Sequence, residues 1–284
     1  MSDQKTQNYS ALVLEGGGMR GTFTAGVLDS FIDSGITFPY VIGTSAGASA
    51  GVSFVSRQRG RTRFSNIDLL ALRPYIGLRH LLAGRGVIDL DFLFNEYPQR
   101  YYPFDFEAYR NSGVRFVATA TNAETGEAEY LEEMSDFERF TAVVRASCSL
   151  PVLCPMGRVD GRFYVDGGVS DSIPVRRALA DGNDRCVVVL TQKRGFRKPL
   201  RQIRLPWFVY RRFPRLKNAL RFRNLRYNSE MDFIEQLEAS GRLLVVRPSD
   251  TFGVGRCTSD AGRLAALYDE GIRAGIEASA LIAH

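Results

Sequence analysis

Two histidines, His80 and the terminal His284, are all that this 284-residue chain contains. A serine or cysteine nucleophile that relies on imidazole as its base therefore has almost nothing to draw on. His284 ends the chain, where segments fray, and His80 lies in an irregular stretch with no motif around it. Cysteine is scarce as well. Cys148, Cys154, Cys186 and Cys257 show no C-x-x-C spacing and no partnering histidines, which argues against a disulfide framework and a zinc site. Reduced thiols point to a cytoplasmic protein. No apolar run approaches the ~20 residues of a membrane-spanning helix. The polar stretch Met1 to Ser10 leads into an apolar run, Ala11 to Leu14, that is too short and too early for a secretory leader. Neither an internal repeat nor a clear domain linker is present.

What remains has the composition of an ordinary globular protein, 45% hydrophobic and 24% charged, so a sizeable core is available. The net charge of +6 hides an asymmetry. Thirteen Lys and Arg and no acidic residue lie between Lys193 and Arg226, leaving 24 basic against 31 acidic residues elsewhere, a net −7. The basicity belongs to one segment.

Ala11 to Leu14 reads as a buried strand, Gly16 to Gly21 as the turn after it, and Thr22 to Ser34 as a helix stopped by Gly35. Tyr40 to Ile42 and Ser45 to Ser56 repeat the strand-turn-helix pattern. That opening predicts a parallel sheet with its loops gathered at one edge. Arg57 to Arg100 loosens into an insertion or cap, with Leu69 to Leu82 as its helical part. Strands are expected over Val114 to Ala120, Ala128 to Leu131, Cys186 to Leu190 and Leu243 to Val246. Arg158 to Val165 reads as a hairpin turning at Asp160-Gly161. Helices are expected over Asp136 to Ser147, Pro174 to Ala180, Met231 to Ala239 and Ala261 to Leu281.

Three motifs carry chemistry. Gly43-Thr44-Ser45-Ala46-Gly47 after an apolar strand is the pattern of a nucleophile elbow, in which Gly43 and Gly47 let neighbouring backbone pass without a Cβ clash. Gly16-Gly17-Gly18-Met19-Arg20-Gly21 fits a dinucleotide fingerprint literally. That reading needs an acidic residue at the end of the second strand, where Ser45 stands instead. The alternative is an oxyanion site built from the N–H groups of Gly17, Gly18 and Met19 at a helix start. Asp166-Gly167-Gly168 supplies a carboxylate at a strand end. An aspartate near its ordinary pKa of about 3.9 is a poor base for a hydroxyl, but the apolar neighbours Phe163 to Val165 predict burial, which raises that value.

In order and spacing these motifs, with Arg145-Ala146-Ser147-Cys148-Ser149-Leu150-Pro151 between the last two, resemble the patatin-like phospholipase family over roughly residues 10 to 190. The Arg-rich stretch and the Tyr227 to Leu237 helix look like its bacterial branch. The resemblance implies a three-layer α/β/α fold with a mainly parallel sheet. It also implies a Ser45–Asp166 dyad in place of a triad, and an oxyanion hole from Gly16, Gly17, Gly18, Met19, Arg20 and Gly21, with Arg20 assisting at an anionic head group. The implied activity is hydrolysis of acyl-lipid carboxylic esters with no cofactor. Calcium is not expected, because Glu15 and Asp171 form no ligand-spaced cluster. Residues 10–190 form the expected catalytic core, and 191–284 complete the same domain. The competing class is a non-catalytic lipid- or nucleotide-binding α/β protein. The segment Lys193 to Arg226, with Trp207, Phe208 and Tyr210 among its arginines, has three readings. It contacts an anionic membrane at the inner face, forms a solvated lid, or, least favoured, holds nucleic acid.

Overall fold

A computed structural model describes residues 9–77, 80, 84 and 86–283. One sheet runs through it, made of β1 (Ala11–Leu14), β2 (Tyr40–Thr44), β3 (Arg115–Asn122), β4 (Ala128–Leu131), β5 (Gly157–Val159), β6 (Arg162–Asp166), β7 (Cys186–Val189) and β8 (Leu243–Val246). The order is β5-β6-β3-β2-β1-β7-β8, with β4 also on β3. The strands β3-β2-β1-β7-β8 are parallel, and β4, β5 and β6 make an antiparallel edge.

The principal helices are α1 (Gly21–Asp33), α2 (Ala46–Val55), α3 (Phe137–Ser147), α4 (Val175–Ala180), α5 (Pro214–Ala239) and α6 (Ala261–Ile282). Strand residues point alternately to opposite faces, and the cores divide accordingly. Leu12 and Leu14 of β1 join the core built with α1, α2, α3 and α6. Ala11 and Val13 join the core that includes Val175 and Ala178 of α4 and Tyr227, Met231 and Ile234 of α5. A sheet covered on both faces needs apolar residues at consecutive strand positions, hence runs such as Ala11 to Leu14 and Cys186 to Val189. The three-layer, mainly parallel architecture is the expected one.

Two expected helices have different bounds. The one placed over Leu69 to Leu82 ends at Leu72, and Arg73 is extended (φ −138°, ψ 91°). Pro74 is the cause, since its ring excludes helical backbone at the residue before it; positions 78, 79, 81 and 82 of that expectation lie outside the described residues, as does His284. The helix placed from Met231 starts at Pro214. Its first turns bury Leu216, Ala219 and Leu220, but the arginines between them conceal the apolar spacing in the sequence.

The basic segment does not present a single surface. Arg194 pairs with Glu238 at 2.8 Å, and Arg197 with Asp232 at 2.8 Å and Glu235 at 2.7 Å. Arg201, Arg204, Arg211 and Arg212 are exposed, beside Trp207 (74% exposed) and Phe208 (61%). This exposed tip is tethered by Tyr210, whose hydroxyl accepts the Val152 N–H at 2.8 Å.

α1 and α6 lie backbone to backbone. A Cβ on Gly271 would stand 2.2 Å from the Phe23 carbonyl oxygen, and one on Gly26 would stand 2.2 Å from that of Tyr268. Backbone cannot yield as a side-chain tip can, so Gly271→Ala is expected to destabilise the protein by about 1–3 kcal/mol. Thermal denaturation checks this; an unchanged melting temperature would mean that the helices are further apart.

Candidate active site

The parallel register sets the site. Leu14 pairs with Gly43, so β1 and β2 end together and the turns that follow them meet. β6 arrives from the opposite direction, with Asp166 beside Ala120 of β3. Because Thr119, the residue before Ala120, pairs with Thr44, Asp166 ends next to Ser45 although 121 residues separate them.

Ser45 has φ 56° and ψ −124°, a region that L-residues avoid and that a strained strand-to-helix turn imposes. Its flanking glycines are required by contact. A Cβ on Gly47 would stand 2.6 Å from the Leu14 carbonyl oxygen, and one on Gly43 would stand 2.7 Å from Ala48 N. The Ser45 hydroxyl donates to Asp166 Oδ2 at 2.5 Å. Both residues are nearly out of water, Ser45 5% and Asp166 3% exposed. The other carboxylate oxygen of Asp166 accepts the Gly168 N–H at 2.8 Å. Gly167 is confined by β3, since a Cβ there would stand 2.3 Å from the Thr119 carbonyl oxygen.

Burial raises the Asp166 pKa above its ordinary value, against the Ser45 hydroxyl, the Gly168 N–H and the nearby charges of Arg223 and Arg256. Such a carboxylate holds a proton more readily than a solvated one. A hydroxyl against it is a group that can lose its proton along an existing hydrogen bond.

The glycine loop stands against the same serine, with the position of a Gly16 Cβ 3.2 Å from Ser45 Cβ. Its donors are fewer than expected. Gly16 N–H is given to the Ser172 carbonyl at 3.1 Å, Met19 N–H to that of Arg256 at 3.0 Å, and Arg20 N–H to that of Gly17 at 3.3 Å. Gly21 N–H closes onto Gly18 and Met19. Met19, counted among the three expected donors, is therefore corrected: its amide is occupied because Gly18, at φ 56°, brings the loop against the Arg256 backbone. Among the described residues, only Gly17 and Gly18 keep uncommitted amides in this loop.

His80 is elsewhere, with Nε2 3.1 Å from the Pro74 carbonyl oxygen and Nδ1 3.7 Å from Asp89. One functional neighbour escaped the sequence reading. Ser147 Oγ accepts the Ser45 N–H at 2.8 Å and donates to the Thr119 carbonyl at 2.6 Å, bracing the elbow from α3. Its signal was present in the block from Arg145 to Pro151, but nothing local assigns it a partner 102 residues away. Arg256, from the loop before α6, has no motif at all.

Above Ser45 a cavity of about 140 Å³ opens between the sheet's loop edge and the 57–110 segment. Its wall is mostly apolar, with Leu93, Phe94, Tyr97, Phe104, Phe140 and Val144 among its residues. The loose segment is thus a cap. Arg61 anchors it from inside, its guanidinium 4.9 Å from the Tyr97 ring and 5.0 Å from that of Phe104.

A mainly parallel α/β sheet with a serine on a strained turn and a buried carboxylate beside it defines the class of elbow-serine α/β proteins. Within that class, the chain belongs to the patatin-like phospholipase family, whose model matches residues 12–179. A second model, described as a domain of unknown function (DUF6363), matches residues 213–283. The chain is 34% identical over 186 residues to the uncharacterized protein YjjU of Escherichia coli, covering 64% of this chain and 51% of that protein. It is 23% identical over 280 residues to lysophospholipase NTE1 of Candida albicans, covering 92% of this chain and 19% of that one. The chain thus spans about half the length of the first relative and about a fifth of the second. Among solved structures, VipD from Legionella pneumophila superposes with a TM-score of 0.53 at 14% identity, over 97% of this chain and 66% of that one.

Removing the Ser147 hydroxyl leaves the buried Ser45 N–H and Thr119 carbonyl without their shared partner. Ser147→Ala is expected to cost about 1–3 kcal/mol of stability, read from urea unfolding; a midpoint matching that of wild type would show that water replaces the hydroxyl.

Proposed function

We propose that the protein is an acyl-lipid ester hydrolase in which Ser45 is the nucleophile and Asp166 its base. The observation that carries the proposal is the 2.5 Å hydrogen bond from the Ser45 hydroxyl to a buried carboxylate, at the foot of a cavity with a mainly apolar lining. Membership of a family named for phospholipases and likeness to proteins named lysophospholipases support a lipid substrate.

In this reading Asp166 takes the hydroxyl proton as Ser45 Oγ attacks the acyl carbonyl. The resulting oxyanion meets the free amides of Gly17 and Gly18, with no reorganisation because the loop is already fixed. Collapse returns the proton from Asp166 to the leaving alcohol and leaves an acyl-serine. Water, giving its proton to Asp166, then releases the fatty acid and restores Ser45.

Asp166 works as a base only when deprotonated, and burial raises its pKa. Activity therefore falls as the pH drops through that raised value, and the acid limb of kcat/KM lies above the ordinary carboxylate value of about 3.9. Ser45→Ala is expected to abolish ester hydrolysis and labelling by a serine-directed phosphonate. Asp166→Asn is expected to lose at least about a hundredfold in kcat while staying folded, and His80→Ala to retain activity. Undiminished labelling of Ser45→Ala, or a dead His80→Ala, would remove the dyad.

The exposed tip supports contact with an anionic membrane. Leu200, Trp207 and Phe208 project among exposed arginines, and the Tyr210 tether to Val152 sets the tip two residues from Leu150, which lines the cavity. Aromatic rings in the interface and arginines on head groups are how such a surface binds. Replacing Trp207 and Phe208 together by alanine is expected to weaken binding to phosphatidylglycerol vesicles at least about tenfold and to leave hydrolysis of a soluble ester unchanged. Tighter binding of the wild type to oligonucleotides than to vesicles would contradict this contact.

A further inference from the structure

Four basic side chains converge beside the glycine loop from four parts of the chain. Arg20 belongs to the loop itself, and Arg256 meets it through the carbonyl that holds Met19 N–H. Lys198 enters from the basic segment, its Nζ 3.5 Å from the Tyr227 ring centroid. Arg223 comes from α5, its Nη2 3.9 Å from the position of a Gly168 Cβ.

The arrangement is built. The Asn228 side chain grips the Lys198 backbone on both sides, accepting its N–H at 2.8 Å and donating to its carbonyl at 2.9 Å. The Tyr227 hydroxyl donates to Glu15 at 2.9 Å, which ties α5 to the start of the loop. Glu15 and Asp166 act on the cluster from a distance, but neither forms an ion pair with it. Among the described residues, no carboxylate oxygen lies within 4.0 Å of the charged nitrogens of any of the four. Nε of Arg20 and Nε of Arg223 are buried with no hydrogen-bond partner. Glu15 is committed to Thr191 and Tyr227, and Asp166 to Ser45 and Gly168. Arg194 and Arg197, from the same basic segment, do have acidic partners, so the lack of them here is a property of the place.

Burial and the neighbouring Arg223 push the Lys198 ammonium down to about 6 despite Glu15. Arg223 falls to about 10 through burial and the charge of Arg256. Groups held under such strain gain most from an arriving anion.

We propose that Arg20, Lys198, Arg223 and Arg256 form an anion subsite that takes the phosphate of the substrate's head group. The proposal rests on the lipid-hydrolase reading and gives it a polar end. Arg256 also lines the apolar cavity, so the two regions share a wall. A lipid with its acyl chain under the cap and its phosphate at the cluster would present its ester at Ser45. Arg223 also lines a second open cavity, beside Ser170, Ser172 and Tyr227. Two of the four basic groups, Arg223 and Arg256, lie in the 213–283 region matched by the domain of unknown function. That region would thereby acquire a role in choosing the substrate.

The test titrates three probes into the Ser45→Ala protein, each below its micelle concentration: 1-octanoylglycerol 3-phosphate, 1-octanoylglycerol and inorganic phosphate. The phosphate ester is expected to bind at least about tenfold tighter than the neutral ester, as charge-assisted hydrogen bonds allow. Arg223→Gln and Lys198→Gln are each expected to remove most of that advantage, leaving 1-octanoylglycerol within about twofold of its original affinity. Inorganic phosphate is expected to bind weakly and to compete with the phosphate ester. Equal binding of the two esters, or an advantage that survives in both variants, overturns the subsite. Tight binding of inorganic phosphate with no advantage for the phosphate ester also overturns it, in favour of a site for free phosphate. Melting temperatures verify folding, and if one variant fails to fold the other decides. Turnover by the wild type is read separately: if it binds the phosphate ester as expected and cleaves neither ester, the hydrolase reading fails while the subsite stands.

Discussion

A carboxylate removed from water must find its hydrogen bonds in the protein, and the structure around Asp166 is arranged to supply them. One oxygen takes the Ser45 hydroxyl and the other the Gly168 amide, while the Asp166 backbone is held by Ser149 and Thr121. Each partner fixes a further element. Ser45 requires the strained turn between β2 and α2, Gly168 requires the turn after β6, and Ser149 requires the end of α3. The antiparallel strand β6 at the edge of a parallel sheet exists in this fold to bring that carboxylate to the loop edge.

Close backbone contact is the second constraint, and it follows from the first. The two strand-to-helix turns approach so nearly that Gly47 touches the carbonyls of Leu14 and Glu15, and Gly18 touches that of Arg256. Among the described residues, these contacts leave two amides of the glycine loop free and commit the rest. A small set of uncommitted donors in a fixed loop is pre-organised in a way that a flexible glycine run is not.

The C-terminal third carries more of the site than its composition suggests. β8 extends the sheet, α6 lies against α1, and the loop before α6 supplies Arg256 to the glycine turn. The basic segment divides by function of position. Its arginines nearest α5 pair with acidic residues, its tip is exposed with Trp207 and Phe208, and Lys198 with Arg223 turns inward toward the loop. A count of charge along the chain could not separate these three fates, because burial of an arginine depends on what packs over it.

The sequence by itself determined the parallel α/β fold, the buried strands and the turns at Gly16, Ser45 and Asp166. These rest on local physics: apolar runs make strands covered on both faces, and glycine marks places where backbone must pass. It also placed the cap, though not its helical bounds, since Pro74 acts more sharply than the apolar pattern around it. Only tertiary structure decided which groups meet. The register of β3 against both β2 and β6 put Asp166 at Ser45, the approach of Arg256 withdrew the Met19 amide, and helix packing delivered Ser147 and Arg223. Such juxtapositions join residues a hundred or more positions apart, and no local preference of the chain encodes the distance between them.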